Sequence, residues 1–283
     1  MNVADAMTPR SKVVMAEIPG TRDEALAYFQ QGSFSSMPVV KRDDDTEEFR
    51  GLVSRHDLIE RPDEDQLALL VQEVPTTAED ATLEELAALM IEEGTRRVPV
   101  VDGQLEGIVT ITDLVRAIAD GAVDTDATAG DVAALDINTT YAGTPLAVAE
   151  CEINYANDPY TVVLDSDGEM AGMLTEVDVI EVAEVVEGED ATGDSIAGQD
   201  DEWMWEGIKA VGNRYLPTRN VEIPDGPARE FMTADVVTVS ARRSVQEVAQ
   251  SMITNDIEQV PLLEGGDLVG IVRDVDLLSA VDR

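Results

Sequence analysis

Histidine, cysteine and lysine are nearly missing from this 283-residue chain, which holds one His (His56), one Cys (Cys151) and three Lys (Lys12, Lys41, Lys209). A lone cysteine excludes an intrachain disulfide and a cysteine-based zinc site. A lone histidine leaves a His-based triad only His56 to build on, and no Gly-x-Ser-x-Gly accompanies it. No stretch approaches 18 apolar residues, so no membrane insertion is expected. The start, Met1-Asn2-Val3-Ala4-Asp5, is polar and acidic, unlike a secretory signal. A soluble, cytoplasmic protein is expected. No nucleophile–base pair, metal cluster or P-loop is visible, so an enzyme is the least favoured class.

Acid is what the chain has in excess: 59 Asp and Glu against 19 Lys and Arg, for a net charge of -40. The acids are spread along the length, as on a solvated surface, rather than gathered in a tail. Hydrophobic content of 44% is enough for a packed core. Self-repulsion at this charge opposes compaction in dilute buffer. In molar salt the Debye length falls to about 3 Å and the penalty shrinks. A salt-rich, halophilic cytoplasm is therefore expected. General binding to nucleic acid is disfavoured by the same charge.

One short signal recurs four times: a Gly, a polar residue three positions on, and an Asp six positions on. The copies are Gly51…Ser54…Asp57, Gly107…Thr110…Asp113, Gly172…Thr175…Asp178 and Gly270…Arg273…Asp276. Around the second copy, Thr82 and Glu85 form a capping box and open a helix with Leu83, Leu86, Ala87 and Met90 on one face. Gly94 ends that helix, Val98-Pro99-Val100-Val101 reads as a strand, and Asp102-Gly103 as a hairpin turn. Leu105 to Thr110 returns, and Asp113 opens a second helix. With a short strand over 71–77, the unit is strand, helix, strand, strand, helix.

The other copies follow this α/β order. Thr21…Glu24 and Ser244…Glu247 are capping boxes, and Thr144-Pro145 reads as an N-cap with Pro in the first helical position. Pro38, Pro159 and Pro261 begin the strands after the first helices. Lys41 to Glu48 reads as a long charged loop, and Gly265-Gly266 as a tight turn. The expected boundaries are 1–63, 64–122, 123–187 and 227–283 for the repeats. Residues 188–226 form an insertion that carries both tryptophans, Trp203 and Trp205.

The unit resembles the cystathionine-β-synthase (CBS) domain. The resemblance rests on Met7-Thr8 and Met232-Thr233 near the starts of copies, on apolar-Pro-Val before the hairpin, and on the Gly-x-x-Ser/Thr-x-x-Asp signal. It implies four repeats paired into two Bateman modules, similar to the γ subunit of AMP-activated protein kinase and its archaeal relatives. The modules can pair within one chain or between two, as a homodimer.

By this resemblance, Asp57, Asp113, Asp178 and Asp276 accept from ribose hydroxyls. Ser54, Thr110, Thr175 and Thr112 contact phosphate, with Arg273 standing where repeat 4 should have its hydroxyl. Arg96 and Arg97 reach phosphates, and their equivalents are read as Ser35-Ser36, Ala156-Asn157 and Glu258-Gln259. Thr76 and Thr238 line the adenine or ribose side. Each Asp is open to a plainer reading as a helix N-cap, and Arg96-Arg97 as surface partners of Glu92 or Glu93. His56 is either a phosphate contact or an ordinary residue at a helix start. The Trp-rich segment either straps its own module or docks a partner.

The favoured function is non-enzymatic: a regulatory energy sensor binding AMP, ADP or ATP, with Mg²⁺ as an optional companion of the polyphosphate, and signalling to a regulated protein. An S-adenosylmethionine module and a structural scaffold are the alternatives.

Overall fold

The computed structural model describes residues 1–31, 34–43, 46–61, 64–185, 208–211, 214–217 and 221–281. All four copies show one order of elements. Repeat 1 has a strand Ala16–Ile18, a helix Arg22–Gln31, a hairpin of Ser36–Asp43 and Thr46–Ser54, and a helix Arg55–Glu60. Repeat 2 has the helix Leu83–Glu93, the hairpin Arg97–Asp102 and Gln104–Thr110, and the helix Ile111–Ala119. Repeat 3 has Thr139–Tyr141, Leu146–Ala156, Tyr160–Leu164 with Met170–Thr175, and Glu176–Val182. Repeat 4 has Val245–Asn255, Gln259–Glu264 with Asp267–Arg273, and Asp274–Leu277.

In each repeat the chain just before the first helix pairs parallel with the strand after it. The pairs are Ala16 with Val39, Thr77 with Val100, Thr140 with Val163 and Val239 with Leu262. A β-bulge follows in the first three hairpins, at Val39/Val40, Val100/Val101 and Val163/Leu164.

The chain ahead of each repeat, its leader, lies on a different repeat. Thr8 and Pro9 pair with Ile108 and Gly107, and Gln72 with Leu52. Ala134 pairs with Ile271, and Thr233 with Met173. Repeats 1 and 2 therefore exchange leaders, as do repeats 3 and 4. The exchange carries apolar burial with it. Val3 sits in the repeat 2 core, Leu67 and Leu70 in that of repeat 1, and Ala228 in that of repeat 3.

Two compact units result. The first holds Met1–Leu135, Val237–Glu264 and Val269–Arg283; the second holds Asp136–Val236 and Gly265–Leu268. In the first unit the helices of repeats 2 and 4 share one core, including Leu114, Val115 and Ile118 with Val248, Ala249 and Met252. Gln246 and Gln250 of repeat 4 both donate to the Ala119 carbonyl, at 3.2 and 2.9 Å. In the second unit Leu146, Ala149 and Ile153 of the first helix pack on Val163 and Leu174 of the sheet. Its Ile208–Val211 and Arg214–Pro217 pair antiparallel.

Three expectations need correction. Residues 71–77 are not one strand, because the segment serves two sheets: Gln72 bridges to repeat 1 and Thr77 to its own repeat. Pro145 is the N-cap and the helix begins at Leu146, whose N–H goes to the Gly226 carbonyl at 2.8 Å; Thr144 N instead closes a turn on Tyr141. The Lys41–Glu48 stretch is mostly hairpin, not loop, since opposite charges face each other across it as Lys41–Glu48 and Arg42–Glu47. Among the described residues no helix is long and apolar enough to cross a membrane.

Candidate functional site

The recurring signal sits where a hairpin strand runs into the second helix. Its polar residue is the N-cap and its Asp the third helical residue, so the Asp is not itself an N-cap. Thr110 N and Oγ1 both donate to Asp113 Oδ2, at 2.9 and 2.8 Å, and Asp113 N donates back to Thr110 Oγ1 at 3.4 Å. Ser54 and Asp57 repeat this at 2.7, 2.5 and 3.2 Å, and Thr175 and Asp178 at 2.7, 2.7 and 3.2 Å. This is a capping box that satisfies helix-end donors. It also leaves the second oxygen of each Asp over. Asp113 Oδ1 accepts from exposed Arg116 at 3.0 Å. Oδ1 of Asp57 and of Asp178 accepts no bond among the described residues.

The hydroxyls are committed differently. A hydroxyl has one proton, and here it points at the Asp. A phosphate on Ser54, Thr110 or Thr175 has to draw that proton away from the carboxylate. Thr112, exposed one residue before Asp113, has no such commitment among the described residues.

Repeat 4 closes on itself. Arg273 Nε and Nη2 bind Asp276 Oδ2 and Oδ1, at 3.0 and 2.8 Å, so both carboxylate oxygens are taken. Neither Arg273 nor Asp276 is among the residues that line a cavity beside Thr238. Thr238 lines this polar cavity of about 510 Å³ with Ser240, Arg243, Glu247 and Gln250.

Each glycine of the signal is buried under the leader of the paired repeat. A Cβ on Gly107 would lie 2.5 Å from the Thr8 carbonyl and 2.8 Å from the Met7 sulfur. On Gly172 it would lie 2.6 Å from the Thr233 carbonyl and 2.8 Å from the Met232 sulfur, and on Gly51 2.2 Å from the Gln72 carbonyl. The Met-Thr and Gly features are thus two sides of one contact.

Arg96 and Arg97 diverge. Arg97 Nη2 donates to Ser35 Oγ at 2.6 Å and Nη1 to Ser36 Oγ at 3.4 Å. Among the described residues it forms no ion pair, and it is half-buried. Burial first, and then the neighbouring Arg96 charge, hold its guanidinium below the usual arginine value, while Glu258 opposes them. Arg96 meets Asp274 through Nη2–Oδ2 at 2.5 Å and Nη1–Oδ1 at 3.2 Å, and Glu258 at 3.3 Å. Its partners are therefore not Glu92 or Glu93. They lie in repeat 4, more than 160 positions away in sequence, beyond the reach of any local pattern.

Register changes the equivalences in repeat 3. Tyr160 faces Thr175 as Arg97 faces Thr110, and Pro159 O accepts from Glu176 N as Arg96 O accepts from Ile111 N. The counterparts of Arg96-Arg97 are thus Pro159-Tyr160, not Ala156-Asn157, and Val162 stands where the other repeats have proline. The cause is Asn157, which ends the helix in the left-handed conformation at φ 56°, five residues before Val162 as Gly94 is before Pro99. The same register puts Thr139 beside Thr76 and Thr238 as a third exposed threonine at this position. The pair Thr139-Thr140, matching Thr76-Thr77, was its available sequence signal. Trp203 and Trp205 lie outside the described residues, and so does the side chain of His56.

A CBS domain family model matches residues 3–64, 68–120 and 228–283, more than half of the chain. The uncharacterized protein MJ1404 of Methanocaldococcus jannaschii is 23% identical over 281 residues, covering 99% of this chain and 61% of that protein. The chain thus spans about three fifths of that longer relative. MJ1225 of the same organism is 24% identical over 292 residues, 95% of each. Among solved structures, an uncharacterized conserved protein from Pyrococcus horikoshii has a TM-score of 0.69 at 27% identity, covering 99% of this chain and 100% of that one. The structure of MJ1225, described as a candidate archaeal homolog of γ-AMPK, shares the fold over 99% of both chains with a TM-score of 0.62 at 20% identity. Residues 121–227, which include Val162 and the insertion, fall outside the family match, yet repeat 3 has the same order of elements. With its recurring hairpins, exchanged leaders and matched sequence, the chain belongs to the CBS domain family.

Proposed function

We propose that this protein is a non-enzymatic regulator that binds AMP, ADP or ATP, with Mg²⁺ as an optional companion, between paired repeats and signals its occupancy to a partner protein. The observation that carries this reading is Arg97. It is a half-buried guanidinium bonded to serine hydroxyls rather than carboxylates, two residues ahead of Pro99, in a chain of net charge -40. A cation that forms no ion pair among the described residues, amid so much acid, attracts an anion, and a guanidinium fork fits phosphate.

In this reading phosphate rests on Arg97 and Thr112, and on Thr110 once its proton leaves Asp113. Ribose hydroxyls donate to Asp113 Oδ1, displacing Arg116, and Thr76 flanks the adenine. Ser54 with Asp57, and Thr175 with Asp178 and Thr139, have the parallel roles in repeats 1 and 3. Asp276, Arg273 and Thr238 belong to a fourth copy that must first open its internal ion pair. Signalling requires that the ligand bind two states of the protein with different affinity.

Titration calorimetry in molar KCl tests this. At least one of AMP, ADP and ATP binds, and Arg97→Ala or Asp113→Asn weakens it tenfold or more, as loss of a charge-assisted bond of about 1.5–3 kcal/mol implies. Absence of binding by all three rejects the reading. Repeat 3 favours a second ligand class for its own site. The position of Arg97 is taken there by the buried Tyr160, and a site without that guanidinium suits an adenosyl group without phosphate, such as S-adenosylmethionine, which mass spectrometry of the purified protein would detect.

A further inference from the structure

Arg96 and Arg97 are neighbours in sequence held by different repeats. Arg97 lies against Ser35 and Ser36 of repeat 1, and Arg96 against Asp274 and Glu258 of repeat 4. The contacts of Arg96 resemble those of a bound phosphate: two parallel bonds to one carboxylate and a third to another. The Asp274 side chain is 8% exposed, and its counterpart in repeat 2 is the buried apolar Ile111. A carboxylate so buried needs its cation, because an unpaired one is costly. Repeat 4 thus presents an internal anion to one guanidinium of the Arg96-Arg97 pair.

Resting on the nucleotide reading of the cleft, we infer that Asp274 and Glu258 set its phosphate selectivity. By holding Arg96 they leave Arg97 to meet the phosphate, and the cleft prefers a nucleoside monophosphate to a triphosphate. A longer phosphate chain gains a second guanidinium only by competing with both carboxylates. The two arginines differ in what they can give: among the described residues Arg97 has only hydroxyl bonds to exchange, whereas Arg96 must abandon a buried charge.

Calorimetry on the full chain in molar KCl, with AMP and ATP, tests the inference. The wild type binds AMP more tightly than ATP. Asp274→Asn and Glu258→Gln each move the AMP-to-ATP affinity ratio toward ATP, Asp274→Asn by about tenfold, as one regained charge-assisted bond implies. Adding Arg96→Ala abolishes that shift. Glu258 is 65% exposed, so its variant folds even where Asp274→Asn does not. Glu92→Gln removes a nearby exposed charge that does not touch Arg96, and leaves the ratio unchanged. An unaltered ratio in the folded variants, or a shift that survives Arg96→Ala or is matched by Glu92→Gln, overturns the inference while AMP binding stands. Failure of every variant to bind either nucleotide overturns the reading of the cleft as well.

Discussion

At the residue scale, the glycine of the recurring signal is held by sterics rather than by chemistry. Gly107 is not at a left-handed φ, but its missing Cβ makes room for the Thr8 carbonyl and the Met7 sulfur. Gly103 is the opposite case, with φ +72° and nothing near its Cβ position. Overpacking that shifts backbone typically costs about 1–3 kcal/mol and occasionally more, and a left-handed alanine about 1–2 kcal/mol. Thermal unfolding in molar KCl should therefore rank Gly107→Ala below Gly103→Ala. Equal melting temperatures would show that the leader can lift away without loss. The signal itself was legible, because spacing survives in sequence. Its reason was not, because the carbonyl that needs the space comes from another repeat. The Arg96 partners escaped for the same cause. The repeat 3 equivalences failed for a different one: Pro159 looked like the strand proline, but the helix ends on Asn157 and moves the register by three residues.

At the element scale, helix starts were the most readable feature. Thr21–Glu24, Thr82–Glu85 and Ser244–Glu247 all form the reciprocal bonds that their spacing implies. The leaders were the least readable, since they touch their hosts through one or two paired residues and leave no alternation to detect. The cap on helix Val245–Asn255 makes stability depend on pH. The Ser244 backbone N–H first, and then Arg243, hold the Glu247 carboxyl below its ordinary value. A depressed folded value means the contribution is complete above the unfolded carboxylate range and is lost as pH falls through the folded value. The wild type should be more stable than Glu247→Gln at neutral pH, and the gap should close in acid. A gap independent of pH would mean that the carboxylate charge contributes nothing to the cap. Ser244→Ala, which removes the other half of the box, should cost about 1 kcal/mol.

At the scale of the whole molecule, charge dominates. A chain of net charge -40 folds against its own field. We expect the melting temperature to rise steeply between low and molar KCl, and a flat response would remove the argument for a salt-rich setting. The compact units do not follow the sequence repeats, because repeat 4 is divided. Its leader belongs with repeat 3, and its body packs on repeat 2.

The exchange of leaders also bears on how such a chain can grow or shrink. Each repeat lends a segment and borrows one, so the number of copies has a parity. Deleting or duplicating a single copy strands one leader without a host and bares one sheet edge, an invitation to aggregation. Adding or removing copies two at a time leaves every debt settled. The heritable unit of this architecture is the couple, and a lineage built on it should count its repeats in even numbers.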